Sequence, residues 1–392
     1  LRLAVIGGGA AGFFLAVNAA QSAPGLEVVV FEQRARVLSK LEASGGGRCN
    51  CTNTFADVKD LKTVYPRGAG LIKRQFKRFG PRDAFAWFES RGVPLAIADD
   101  HRVFPRAQDS RAISGCLKAE ADRLGVRVRT GCRIDRPEAL LRDRGGDFDF
   151  VAVTIGGTPG GQGCVPSLFA FKLAGGAHVG LAGVSAPEVV ASVSGTKLSA
   201  RGALLVTHDG FSGPAILKLS SYAARELAGC AYRFDLKVNW AGGRNYDEVS
   251  GSLRDLARTH ARKAVLNVAP FGLSGRLWSH VVLCAAGRGE APIGGKRCAD
   301  LSKRDFARLT EALTGDMYAV SGRASHKDEF VTCGGVPLDA IDKATMESKQ
   351  TPGLFYAGEV LDIDGITGGF NFQAAWTTAY AAAAAIAQRA GS

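Results

Sequence analysis

The strongest constraint on this chain is a glycine pattern set between two apolar segments. Leu3-Ala-Val-Ile runs into Gly7-x-Gly9-x-x-Gly12, and a second apolar segment, Glu27 to Phe31, ends at Glu32. A strand that turns on glycines into a helix, followed by a strand closed by an acid, is the fingerprint of a dinucleotide-binding βαβ unit. Gly7 permits the tight turn, Gly9 lets backbone amides approach a pyrophosphate, and Gly12 lets helix and strand pack closely. Ala10 and Ala11 open the helix, whose N-terminal end offers partial positive charge to phosphates. Glu32, with Gln33 beside it, is placed to accept from a ribose 2′-hydroxyl. A bound dinucleotide is expected.

The chain of 392 residues has room for two or three domains, and 46% hydrophobic with 22% charged residues describes an ordinary globular protein. No apolar stretch reaches the twenty or so residues of a membrane span, and the Ala379 to Ala387 run is interrupted soon after by Gln388 and Arg389. The first residues enter a core strand without a charged leader, so a cytoplasmic protein is expected. Nine cysteines without a Cys-x-x-Cys pair read as reduced thiols, and no metal site is expected from their spacing. The net charge of +12 suits an anionic cofactor, and an anionic substrate or nucleic acid could use more of it. The densest basic stretch, Arg67 to Arg82, has Phe76, Phe79, Phe85 and Trp87 set among and just beyond its charges, and reads as the wet side of an amphipathic helix.

Along the chain, residues 1–33 read strand–helix–strand and residues 34–56 a polar glycine-rich loop. Helices are expected over 68–92, broken at Gly80-Pro81, and over 110–124. Phe148 to Ile155 reads as a buried parallel strand. Residues 177–240 alternate short apolar runs with glycine turns, as in a barrel or sandwich, and 250–318 carry helical periodicity. Parallel-sheet texture returns at Gly353 to Glu359, with a long helix from about Gly369. The expected fold is α/β: a Rossmann-like domain in two segments with an inserted β-barrel and a small helical domain. The expected bounds are 1–165, 166–249, 250–318, and 319–392 for the return through the barrel edge to the second segment.

The first motif leaves NAD and FAD open, and the C-terminal motif favours FAD. A strand ending at Gly358-Glu359, then a loop, then Gly368-Gly369-Phe370-Asn371 opening a helix, suits closure over a ribityl chain and flavin ring. Glu359 can bond ribityl hydroxyls, and the helix would aim its positive end at the flavin N1/C2=O edge.

Further blocks occur in order: Ser44-Gly45-Gly46-Gly47-Arg48-Cys49-Asn50 with Thr52-Asn53, Arg102 to Pro105, Thr207 to Pro214, Cys333 to Val336, Thr345 to Ser348, and Gly358 to Asp362 leading into Gly368 to Asn371. Together they resemble a family of bacterial FAD-dependent oxidoreductases described as aminoacetone-oxidase-like, BaiN-like or YhiN-like. The resemblance implies a three-part flavoprotein, with family activities that include aminoacetone oxidation and reduction of unsaturated bile-acid intermediates. It places Gly7 to Gly12 and Glu32 at the ADP half, Lys40 near a phosphate or the adenosine end, and Ser44 to Asn50 along pyrophosphate and flavin. It places Thr154, Ile155, Gly156 and Gly157 near the adenosine, Ile134 against adenine, and Glu359 and Gly368 to Asn371 at the flavin end. Ile155 departs from the family's usual threonine, and the segment after Pro187 lacks the Pro-x-Leu-Val-Pro pattern of many members.

The chemistry implied is hydride transfer between flavin N5 and a small or medium organic substrate such as an amine or enone, with NAD(P)H or oxygen as second substrate. Gly157 to Gly163 and Gly287-Arg-Gly289 do not make a second nicotinamide motif, so NAD(P)H would dock transiently. Catalytic residues stay open, with His208, His101 and Cys49 as candidates; for Cys49 and His208 packing and turn roles compete. An alternative is a flavoprotein acting on nucleic acid, such as a tRNA-modifying enzyme. From the basic stretch no nucleic-acid partner is expected, and a monomer is favoured.

Overall fold

The computed structural model describes residues 1–157, 163–176, 179–287, 293–324 and 331–391. The chain divides into two compact units, Leu1–Pro166 with Val331–Ser392, and Ser167–Phe330. The stretch 158–162, and with it most of the second glycine run, lies outside the described residues, as do Arg288 and Gly289.

The first unit begins with β1 (Arg2–Ile6), α1 (Ala10–Ser22), β2 (Glu27–Phe31), α2 (Ser39–Gly47) and β3 (Thr52–Asn53). It continues through α3 (Ala69–Gln75), α4 (Pro81–Glu89), β4 (Leu95–Ile97), β5 (Arg102–Pro105) and α5 (Arg111–Arg123). β6 (Arg127–Arg129), β7 (Phe150–Val153) and β8 (Val165–Ser167) follow. The second unit holds β9 (Phe171–Leu173), β10 (Ser185–Val193), β11 (Ser199–Val206), β12 (Gly210–Ser212), α6 (Pro214–Tyr222), α7 (Ala224–Gly229) and β13 (Phe234–Asn239). It ends with α8 (Tyr246–Thr259), α9 (Gly275–Ala286), α10 (Lys303–Thr314) and β14 (Asp316–Arg323). The return to the first unit is β15 (Val331–Cys333), β16 (Leu354–Tyr356) and α11 (Phe370–Ala390).

The main sheet of the first unit has the order β16-β7-β1-β2-β6 and is parallel throughout. Its central strands are buried on both faces, which is why Leu3 to Ile6 and Phe150 to Val153 read as unbroken apolar runs. Strand β16 comes from beyond the second unit in sequence, so the sheet closes only when both chain ends are present. Helices α1 and α11 share an aromatic layer: Phe14 lies 5.1 Å from Trp376 and 4.6 Å from Trp87. The Trp87 indole donates to Asn18 Oδ1 at 3.1 Å, which satisfies the one polar group that α1 buries there.

In the second unit, six strands close an antiparallel barrel in the order β10-β11-β12-β9-β14-β13. Phe171, Leu204, Phe211, Leu236 and Val238 fill it, and the same core continues into Val249, Leu253, Trp278, Val281 and Leu309 of the helices. The barrel expected from 177–240 is present, but that stretch also holds the helices α6 and α7. Pro214 at the first turn of α6 starts a helix without needing an N–H, and the apolar residues behind it fit either element by periodicity alone. The reading of 34–56 as loop is corrected by α2, a helix interrupted at Ser44, Gly45 and Gly46. Among the described residues no helix is long and apolar enough to cross a membrane.

Candidate functional site

The turn between β1 and α1 is built on glycine for two separate reasons. Gly7 has φ 110°, and a methyl group there would stand 2.5 Å from the Thr154 carbonyl oxygen. At Gly12 a methyl group would meet the Gly7 carbonyl oxygen at 2.0 Å. Gly9 differs: its φ is −92°, and an added methyl group would meet nothing within 4 Å. Packing therefore dictates Gly7 and Gly12 but not Gly9, where the missing side chain leaves open space above the N-terminus of α1. Ala10 and Ala11 begin that helix, and Ala11 lies 2.7 Å from where a Gly358 methyl would stand. Gly358, at φ 78°, thus lets the loop after β16 come down on α1.

Glu32 holds this turn. Its carboxylate accepts from Gly8 N at 2.9 Å and from Arg34 N at 2.8 Å, while Gln33 is exposed beside it. Thr154 Oγ1 donates to Ile6 O and Gly7 O, both at 3.0 Å, locking the end of β7 to the end of β1. Ile155 is half exposed, and Gly156 has φ 78°. A methyl on Gly157 would press on Thr332 at 2.4 Å and on Glu359 Oε1 at 2.8 Å. Ile134 is half-buried in the loop after β6, next to the Arg133–Asp135 ion pair.

The Ser44 to Asn50 segment folds back on itself. Gly45, Gly46 and Gly47 take φ of 59°, 67° and 83°, and methyl groups on Gly46 and Gly47 would meet nothing within 4 Å. Ser44 Oγ donates to Leu41 O, and exposed Arg48 donates to Gly45 O and lies 5.0 Å from the Phe104 ring. Cys49 is fully buried; burial pushes its thiol up to about 12, against a smaller lowering by a hydrogen bond with Ser44. The Asn50 amide, oriented to suit its neighbours, donates to Thr52 O and accepts from Gly369 N, each at 2.9 Å.

That last bond joins the two distant motifs. Asn53 Nδ2 donates to Gly368 O at 3.0 Å, and a methyl on Gly369 would stand 2.3 Å from Thr52 O. Tyr65 donates its hydroxyl to Phe370 O at 2.7 Å. Asn371 both accepts from Gly365 N and donates to Gly365 O, pinning the loop before α11. Glu359 accepts from Thr332 N at 2.9 Å, and the Lys40 ammonium stands 3.9 Å from its other oxygen. Lys40 and Glu359, assigned by the resemblance to opposite parts of the site, are thus brought together.

Two helices point uncapped N-termini from this set. α1 and α11 start at Gly9 and Gly369, with no side-chain cap and no acid in the first turn. α8, α9 and α10 are capped by Asn245, Ser274 and Ser302, whereas α3, α5 and α6 lack a side-chain cap as α1 and α11 do. It is therefore the open space at Gly9 that sets α1 apart from a plain uncapped end. First-turn N–H groups without an internal acceptor are suited to an anion.

The histidine candidates lie elsewhere. His101, at φ 65°, contacts Asp57 Oδ2 through Nε2 at 2.7 Å in the loop before β5. His208 is exposed in the β11–β12 turn of the second unit, where Thr207 Oγ1 accepts from Gly210 N and donates to Gly210 O. In the basic stretch all of Lys73, Arg74, Lys77 and Arg78 are exposed, but only Lys73 and Arg74 lie on a helix, α3. Lys77 and Arg78 stand in the turn between α3 and α4, which corrects the expected single helix face. Arg67 is not: it forms a bidentate pair with the fully buried Asp364. Sequence reading missed this pair because its members lie 297 positions apart with no shared motif.

The split parallel sheet and its glycine turn define a Rossmann-like fold of the dinucleotide-binding class. It belongs to the HI0933-like protein Rossmann domain family, whose model matches residues 1–148 and 175–385. It is 26% identical over 420 residues to a 3-dehydro-bile acid delta(4,6)-reductase of Clostridium scindens, covering 99% of each chain. It is 26% identical over 418 residues to a ribosomal RNA dihydrouridine synthase of Haemophilus influenzae, covering 98% of each. A 3-ketosteroid delta1-dehydrogenase structure from Sterolibacterium denitrificans aligns with a TM-score of 0.43 at 12% identity, covering 99% of each chain.

Proposed function

We propose that the chain is an FAD-dependent reductase that saturates a carbon–carbon double bond conjugated to a carbonyl, in a small or medium organic substrate. The observation that carries the cofactor is the open space at Gly9 above the uncapped N-terminus of α1, matched by a second uncapped helix at Gly369. The residues fit FAD. Gly7 to Gly12 and Glu32 would hold the ADP half, Ser44 to Asn50 the pyrophosphate and ring approach, and Thr154 to Gly157 with Ile134 the adenosine side. Glu359 with Lys40, and Gly368 to Asn371, would take the ribityl and ring end. When bound, FAD supplies hydride chemistry at N5. The chain's own part is to present amides and helix ends to the anionic groups and to hold the loops that exclude water.

The substrate class rests on what the two named relatives share. A 3-oxo-4,6-diene and a uracil ring each present a C=C conjugated to a carbonyl, and each product gains a hydride and a proton. The reductant is a reduced nicotinamide, docked transiently. Anaerobic flavin reduction by NADPH and NADH, followed by reoxidation with a panel of 3-oxo-4-ene and 4,6-diene compounds, tests the reading. Release of FMN, or no flavin at all, from denatured protein would overturn it.

A second reading, the uracil ring carried in RNA, is favoured by the dihydrouridine synthase relatives and the net charge of +12. It requires that structured RNA reoxidise the flavin, and that binding fall steeply with salt.

A further inference from the structure

In the second unit three side chains of different chemistry converge away from every residue assigned above. His280 and Cys284 stand four residues apart on α9, hence on one face, with Nε2 and Sγ 3.5 Å apart. Asp316, the first residue of β14, completes the group, and one ligating atom from each of the three lies within 4.8 Å of the others. We propose that His280 Nε2, Cys284 Sγ and the Asp316 carboxylate form a three-ligand site for a borderline-soft divalent cation of the zinc type.

Five features favour this. Zn–S and Zn–N bonds of about 2.3 and 2.0 Å at a tetrahedral angle put sulfur and nitrogen about 3.5 Å apart, the separation found here. Asp316 is buried, and a cation beside it would neutralise a charge that is otherwise costly to bury. Its Oδ2 is held by the Trp240 indole at 3.0 Å and the Tyr318 hydroxyl at 2.6 Å, which orients the carboxylate as an outer shell does in zinc sites. His280 and Cys284 are half-buried, so an ion has a way in. The nitrogen, sulfur and oxygen donors together match zinc better than magnesium or calcium, which prefer oxygen alone.

On binding, the Cys284 thiol releases its proton to solvent, His280 Nε2 exchanges its 3.2 Å hydrogen bond with the Tyr318 hydroxyl for a bond to the metal, and that hydroxyl keeps its bond to Asp316. Solvent takes the fourth position. The ion ties α9 to β14, joining the helical part of this unit to its barrel. The cysteine spacing argument could not see this, because only one ligand is a cysteine; its partner four residues back on α9 is a histidine, and the third ligand comes from β14.

The test uses the full chain after chelator treatment, titrated with Co2+ as a spectroscopic probe and then with Zn2+. Expected are one Co2+ per chain, a thiolate-to-cobalt charge-transfer band in the near ultraviolet, and its loss on Zn2+ addition. Cys284→Ser should abolish the band, His280→Ala should weaken Co2+ binding at least tenfold, and Cys230→Ser should change neither. In the unaltered protein, Zn2+ should slow alkylation of Cys284 at least tenfold and leave Cys230 unaffected, a readout independent of variant folding. Absence of saturable Co2+ binding, a band that survives Cys284→Ser, or no protection of Cys284 would each overturn the proposal.

Discussion

Gly12 sits so close to Gly7 that a methyl group on it would lie 2.0 Å from the Gly7 carbonyl oxygen, whereas one on Gly9 would touch nothing within 4 Å. The same fingerprint therefore contains a glycine that packing requires and one that packing does not, and substitution separates them. Gly12→Val should destabilise the fold by about 3 kcal/mol, since the obstacle is backbone and cannot move aside. Gly9→Leu should cost about 1 kcal/mol or less, yet yield folded protein without flavin colour. Thermal melts and the absorbance of purified protein check both. Full flavin occupancy in Gly9→Leu would remove the assignment of that space to a cofactor.

The Arg67–Asp364 pair lies just before the loop that leads into Gly368 and Gly369, with Asp364 fully buried. Removing the guanidinium takes away the charge paired with buried Asp364, so Arg67→Ala should cost about 3 kcal/mol in denaturant unfolding. Arg67→Met with Asp364→Leu should recover much of that loss. If the double variant is as unstable as the sum of the single ones, the pair holds the loop by shape rather than by charge.

The backbone of the two glycine motifs was legible because each rests on local rules: glycine turns, a helix start and apolar strands. Their meeting was not legible, because Asn50–Gly369 and Asn53–Gly368 join residues more than three hundred positions apart. The helices α6 and α7 were missed for a different reason. Residues from Ala215 to Leu227 are apolar at spacings that suit a buried strand as well as a helix, and only packing against the barrel decides. His280, Cys284 and Asp316 carried no sequence signal beyond one i, i+4 pair.

Glu42 couples the glycine-bearing α2 to α5, accepting from Lys118 Nζ at 3.1 Å and Ser114 Oγ at 2.9 Å. The Lys118 bond foremost, then Ser114, holds its carboxyl below the ordinary value of 4.5. A carboxylate whose folded value is depressed adds stability that is fully present above the unfolded value and fades as pH falls through the folded one. Glu42→Gln should therefore lose about 1 kcal/mol or less at pH 7, with the gap to the unaltered protein closing below about pH 4. Urea midpoints measured from pH 7 down to pH 3 check the convergence. A gap that stays constant over that range would show that the contact acts through packing.

Cys49 stands in the glycine loop expected to lie along the cofactor, which invites a reactive role. Its burial argues otherwise: with the thiol pushed up to about 12, almost none of it is thiolate at pH 8, and the side chain has no exposed surface. Iodoacetamide at pH 8 should modify the exposed Cys230 at least a hundredfold faster than Cys49 in folded protein, and both at similar rates after denaturation. Peptide mapping by mass spectrometry reads the two sites separately. Because the left-handed backbone at Cys49, φ 58°, together with its buried position constrains that site, Cys49→Ala should keep flavin binding and lose only packing, about 1 kcal/mol. Rapid labelling of Cys49 in the folded chain would mean that the glycine loop opens in solution and would return the thiol to the list of reacting groups.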